Sequence, residues 1–216
     1  MTFTGWPVEA LEFYEGLEMD NSKAYWTAHR EVYDTQVLAP MLALLEELEA
    51  EFGRGKVFRP NRDVRFSADK SPYKTAIGAT LEHGGYIQLS AEGLALAAGY
   101  YGMAADQLAR YRAAVAEDLS GAELERIIAE LTEQKIEVRS REQLKSAPRG
   151  FPKDHPRIEL LRHKDLFAWR QHPAAAWLGT AAAKRRAVDF LRATRPLAAW
   201  LDDRVGPSEL PDDRRR

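Results

Sequence analysis

Three strand-like runs, Ala76 to Leu81, Tyr86 to Ser90 and Leu94 to Gly99, are separated only by Glu82-His-Gly-Gly85 and Ala91-Glu-Gly93. Connections this short can only reverse the chain, because parallel neighbours need a crossover of about a dozen residues or more. The runs therefore predict consecutive antiparallel strands and exclude a parallel dinucleotide-binding sheet. The period of two begins near residue 56. It predicts a further strand through Asp63-Val-Arg-Phe-Ser67, with Asp63, Arg65 and Ser67 on one side and Val64 and Phe66 on the other. The small residues Ala95, Ala97, Ala98 and Gly99 predict close packing by a helix.

Helical spacing flanks this region on both sides. Val8, Leu11, Phe13, Tyr14 and Leu17 share one face of a helix over 6–18, and Asp20-Asn21-Ser22 offers side-chain acceptors to start the next. Pro40 is expected to kink that helix or to open another, whose stripe from Met41 to Phe52 stops at Gly53. Residues 104–117 and 121–134 read as helices, Pro156 as the first turn of another, and 174–203 as one or two helices broken near Pro196. The expected class is α+β: an antiparallel β-meander of about four to five strands packed by N-terminal and C-terminal helices. Residues 1–205 read as a single α+β domain and 206–216 as a polar, frayed tail.

Several chemistries are excluded at once. The chain has no cysteine, so disulfides, thiolate metal sites and cysteine nucleophiles are ruled out. The phosphate-binding Gly-x-x-x-x-Gly-Lys-Ser/Thr, Gly-x-Gly-x-x-Gly and Gly-x-Ser-x-Gly are all missing. No apolar run approaches a bilayer span and no signal pattern opens the chain, so a cytoplasmic protein without a membrane partner is expected.

The net charge of −2 conceals segregation: residues 53–74 hold seven Lys/Arg against two Asp/Glu, whereas residues 1–52 hold two against eleven. Within 59–74, Arg62, Arg65, Lys70 and Lys74 are candidate anion-binding cations. Tyr73 is a candidate ligand contact, and Asp63 and Asp69 are candidate proton handlers. An arginine fork suits carboxylate or phosphate, and lysines add point charge. The competing reading is an internal network in which Asp63 and Asp69 each pair with an arginine and hold the turn.

A second cationic stretch, Lys145-Ser-Ala-Pro-Arg-Gly-Phe-Pro-Lys-Asp-His-Pro156, is punctuated by prolines and reads as an ordered loop. It adds Arg149 as a candidate ligand contact and His155 as a candidate general acid or base. Gly150 is expected to permit close backbone approach, and the loop is expected to fold over the 62–74 segment to share one cleft. His155, Glu159 and His163 fall at i, i+4 and i+8 of the predicted helix, but no established metal spacing is present and no metal is assigned. Nothing in the residues specifies a cofactor.

Taken together, Arg62-Asp-Val-Arg-Phe-Ser-Ala-Asp-Lys-Ser-Pro-Tyr-Lys74, Ala147-Pro-Arg-Gly-Phe151, and Asp154-His-Pro156 with Glu159-Leu-Leu161 and Lys164 resemble a widespread family known as domain of unknown function 2461. Asn21, Trp26, Tyr33 and Pro40, with Arg195-Pro196 and Trp200-Leu201, extend the likeness over nearly the whole chain. The resemblance implies a soluble bacterial or fungal protein and carries no established activity, cofactor or catalytic residue.

Two functional readings follow. The first is an anion-binding cleft for a small phosphorylated or carboxylated ligand, with or without a catalytic step. The second is a non-catalytic module that binds nucleic acid, with Tyr73, Tyr100 and Tyr101 as stacking surfaces, or that serves as a structural partner. A pI of about 6.2 weighs against extended contact with a phosphate backbone.

Overall fold

Pro7, in extended backbone, leads into α1 (Val8–Met19), which buries Ala10, Phe13, Tyr14 and Leu17. These coordinates are a computed structural model that describes residues 2–65 and 68–211. Ser22 starts α2 (Lys23–Ala28) as the sequence predicts, its hydroxyl accepting the Tyr25 N–H at 3.1 Å. A short α3 (Arg30–Val32) passes through a π-helical turn, Tyr33–Leu38, into α4 (Ala39–Phe52). Pro40 lies in the first turn of α4 directly after this π-helical turn, and the backbone stays helical through Leu38 and Ala39, so the proline accompanies a change of helical winding and not a break in the chain. Gly53, at φ +75°, closes it.

The chain continues through β1 (Gly55–Val57), β2 (Ala76–Leu81), β3 (Gly85–Ser90), β4 (Gly93–Tyr100), α5 (Ala105–Ala116) and α6 (Asp118–Glu133). Then come β5 (Glu137–Arg139), α7 (Ile158–Leu161), β6 (Leu166–Pro173), a 3-10 turn at Ala176–Gly179, α8 (Ala182–Ala193) and α9 (Arg195–Arg204). The fold is α+β around a six-stranded antiparallel sheet of order β1-β2-β3-β4-β6-β5. The sheet thus exceeds the expected four to five strands by gaining β5 and β6, while residues 62–65 form a loop in place of the expected strand. No helix among the described residues is long and apolar enough to cross a membrane.

Packing divides the chain into two units: Met1–Leu96 with Gln171–Phe190, and Ala97–Arg170 with Leu191–Arg216. In the first, the register Gly55↔Leu81, Val57↔Ala79, Ala79↔Ile87 and Ile77↔Leu89 puts these residues on one face of β1–β3. Ile77, Ala79, Leu81, Ile87 and Leu89 are buried there. Helix α4 presses so closely on this face that a Cβ on Gly55 would stand 2.7 Å from the Leu45 side chain.

In the second unit the Trp200 indole N–H donates to the Ser120 carbonyl at 3.0 Å, and the Tyr111 hydroxyl donates to the Leu160 carbonyl at 3.0 Å. Asp165 is 1% exposed, yet its carboxylate accepts from the Ser140 hydroxyl at 2.6 Å and the Arg141 N–H at 2.7 Å, so the buried charge is satisfied. The start of the tail is tied down rather than frayed. Asp106 accepts from the Ser208 hydroxyl at 2.9 Å and the Glu209 N–H at 2.8 Å, while Arg110 donates to the Val205 and Pro207 carbonyls. Burial acts to raise the Asp106 carboxyl, but the donors of Glu209, Ser208 and Gln107 and the charge of Arg110 outweigh it and hold it at about 2.

The helix expected after Pro156 lasts only from Ile158 to Leu161. His155 Nδ1 accepts the Arg157 N–H at 3.0 Å before it, and His163 bridges to Gln143 after it. His155, Glu159 and His163 therefore do not form the helical stripe that their spacing predicts.

Candidate functional site

The connection from β1 to β2 carries a cluster of positive charge, and its backbone is fastened at the base. Arg62 N–H donates to the Pro72 carbonyl at 2.9 Å, Lys74 N–H to the Pro60 carbonyl at 2.8 Å, and Asn61 and Tyr73 form an antiparallel bridge. Two N-terminal residues, Asn21 in the turn between α1 and α2 and Trp26 in α2, grip this base. Asn21 accepts the Tyr73 N–H at 3.0 Å and donates to the Tyr73 carbonyl at 3.1 Å, so one amide satisfies both backbone groups. Trp26 stacks on the Tyr73 ring, with centroids 4.4 Å apart and planes 9° from parallel. Tyr73 is 7% exposed, and one face of its ring is occupied by Trp26.

Beyond the base, charges pair within the loop. Arg65 donates from Nε and Nη2 to the Asp63 carboxylate at 3.0 and 2.7 Å, and its backbone N–H reaches the same carboxylate at 3.3 Å. A carboxylate that captures a backbone N–H two residues on offers the chain an alternative to a strand ladder, which explains why 62–65 is a loop. Phe66 and Ser67, the rest of the expected strand, lie outside the described residues. Arg62 pairs with Asp69, whose carboxylate also accepts the Ser71 N–H at 2.9 Å, and Lys70 Nζ donates to the Val64 carbonyl at 3.0 Å. The guanidinium and N–H of Arg65 lower Asp63, and the hydroxyl and N–H of Ser71, with Arg62, hold Asp69 at about 2.

These pairs match the internal network foreseen as one of two readings. Being exposed, they contribute little to stability by themselves. A carboxyl with a depressed folded pKa stabilises the fold above its unfolded value of about 3.9 and loses that contribution as pH falls. The Arg62–Asp69–Ser71 closure is thus expected to open as pH falls from about 4 to 2. Carbon-detected NMR titration reads it directly, and an Asp69 midpoint near 4 would show that the closure does not exist in solution.

Lys74 differs from the other cations. Its Nζ donates to the Arg59 carbonyl at 3.0 Å and stands 5.4 Å from the ring centroid of Phe58. Burial, and then the charge of Arg59, lower its pKa. Among the described residues no carboxylate pairs with it. Two cations thus crowd together at the foot of the loop, and while Arg59 feels the Asp63 carboxylate, Lys74 pairs with none among the described residues.

A family model described as a conserved hypothetical protein (DUF2461) matches residues 9–200. The chain belongs to this family. Comparison with curated proteins and with solved structures gave no match. In this DUF2461 chain, Asp63, Asp69, Arg62, Arg65, Lys70, Tyr73 and Lys74 come together in the first unit, while Arg149 and His155 belong to the second. Arg149 is exposed, and Gly150 adopts φ +91° with open space where a side chain would begin, so the glycine serves the turn and not a close approach. Of the other tyrosines considered for stacking, Tyr100 donates to Asp202 at 2.9 Å and is pushed up to about 12 by burial and that carboxylate. Tyr101, 64% exposed, lies under Arg141 at 4.7 Å. Among the described residues no group of three or more His, Asp or Glu is placed to hold a metal ion.

Three residues that shape this candidate site were not among those the sequence singled out for it. Asn21 and Trp26 act on a residue some fifty positions away, and no local pattern encodes that. Phe58 was detectable in principle: in Arg54-Gly-Lys-Val-Phe58 it falls on the charged side of the alternation, out of keeping with its polarity.

Proposed function

We propose that this protein binds a small anionic ligand, phosphorylated or carboxylated, at the foot of the 59–74 loop, with Lys74 and Arg59 as its primary contacts. The observation that supports this reading is the half-buried Lys74 ammonium beside Arg59, facing no carboxylate among the described residues. An anion there would relieve the repulsion between two cations and restore to Lys74 the charge solvation that burial removes. Arg62 and Arg65 are engaged by Asp69 and Asp63, so they supply the surrounding positive field rather than the first contact. Asp63 and Asp69, held ionised far below neutral pH, suit positioning better than proton transfer, and no catalytic step is assigned to them.

Inorganic pyrophosphate and citrate serve as probes in thermal-shift and calorimetric titrations. Saturation at a hundred times Kd is expected to stabilise the fold by about 2.7 kcal/mol. Lys74→Met, which keeps the stem and removes the charge, is expected to weaken binding about tenfold or more. If neither anion shifts the wild-type protein, or if Lys74→Met binds as well as wild type, the reading is wrong.

A further inference from the structure

The face of β1–β3 opposite the core carries a second chemistry beside Lys74. Phe58 N–H donates to the Gly78 carbonyl at 2.9 Å, and the register sets Lys56 against Thr80, Thr80 against Tyr86 and Gly78 against Gln88. Gly78 is buried on this face because Tyr86 lies across it: a Cβ there would stand 2.6 Å from the Tyr86 hydroxyl. That hydroxyl donates to Gln88 at 2.8 Å, which keeps the ring down on the sheet. Phe58 lies beside it, with centroids 6.3 Å apart at 35°, and is 39% exposed. The floor is therefore aromatic, and its border is cationic: Lys74 over Phe58 and exposed Lys56 two residues earlier on the same side.

An exposed ring with one ammonium group over it and a second lysine on the same side of the strand matches a ligand that is flat and aromatic at one end and anionic at the other. From this we infer that the ligand is a nucleotide, its base stacked against Phe58 and its phosphate received by Lys74 and Lys56. The inference rests on the anion site proposed above and adds the base. A mononucleotide fits better than a long single strand, because β1 contributes only three residues and the chain as a whole is net negative.

Calorimetric titration of AMP against ribose 5-phosphate isolates the base. AMP is expected to bind at least tenfold more tightly. Phe58→Ala and Phe58→Leu should both erase that advantage, and Lys74→Met should weaken both ligands. Equal affinity for the two ligands in wild type would overturn the nucleotide assignment and leave the anion site standing. Binding of neither would overturn both. An octathymidylate that binds more than tenfold tighter than dTMP, with a steep salt dependence, would replace the mononucleotide with a single strand.

Discussion

Replacing Gly93 with alanine is expected to lower the unfolding free energy by about 4 kcal/mol. Gly93 ends the turn between β3 and β4 at φ +112°, in the region that residues with a Cβ rarely adopt. The added Cβ would stand 2.4 Å from the His172 carbonyl oxygen and 2.6 Å from the Ala174 nitrogen. Both are backbone atoms, and the Ala174 N–H already donates to the Glu92 carbonyl at 3.1 Å, so neither can swing aside as a side chain would. Gly84 provides the control. At φ +89° it has open space around it, so Gly84→Ala should cost only the conformational strain, about 1 kcal/mol. Urea midpoints of the two variants, at unchanged slope, separate the terms. Equal losses would mean that the contact between the turn and residues 172–174 is absent in solution.

Trp26→Ala should cost about 3–5 kcal/mol, the range for truncating a large buried aromatic. Trp26 packs against Tyr33 at 4.8 Å and Phe13 at 5.7 Å as well as Tyr73 at 4.4 Å, so its loss leaves a cavity at the base of the loop. Asn21→Ala removes both partners of the Tyr73 backbone and should cost about 2 kcal/mol. Because the two residues grip the same target, the double variant should lose less than the sum by at least about 0.5 kcal/mol. Either change should also weaken pyrophosphate binding without touching a charge. Strict additivity, with binding intact, would mean that the loop is positioned by something other than this clamp.

The core of the fold was readable because its signals are local. The β2, β3 and β4 runs are short, mostly apolar and joined by short glycine-bearing turns, while α5 and α6 repeat their apolar positions every three to four residues. The strands β5 and β6 are different. Glu137–Arg139 is too short to establish a period, and its partner comes some thirty residues later, in Leu166–Pro173, with register Val138↔Ala168. Pairing over such a distance depends on the packed body and leaves no trace in a window. The helix expected after Pro156 failed for a related reason, since buried Asp165 pins residues 140 and 141 and brings that segment alongside the chain before it. At the site, clustering of charge was legible but its internal bookkeeping was not. Which arginine meets which carboxylate depends on a loop conformation set by Asn21 and Trp26.

The clamp holds the main chain and ring of Tyr73, and none of the charged side chains between Arg62 and Lys70 takes part in it. Anchorage of the loop is thus carried by atoms other than its charged groups. Substitutions at Arg62, Asp63, Arg65, Asp69 or Lys70 can therefore retune the charge of the loop while the hold on Tyr73 stays in place.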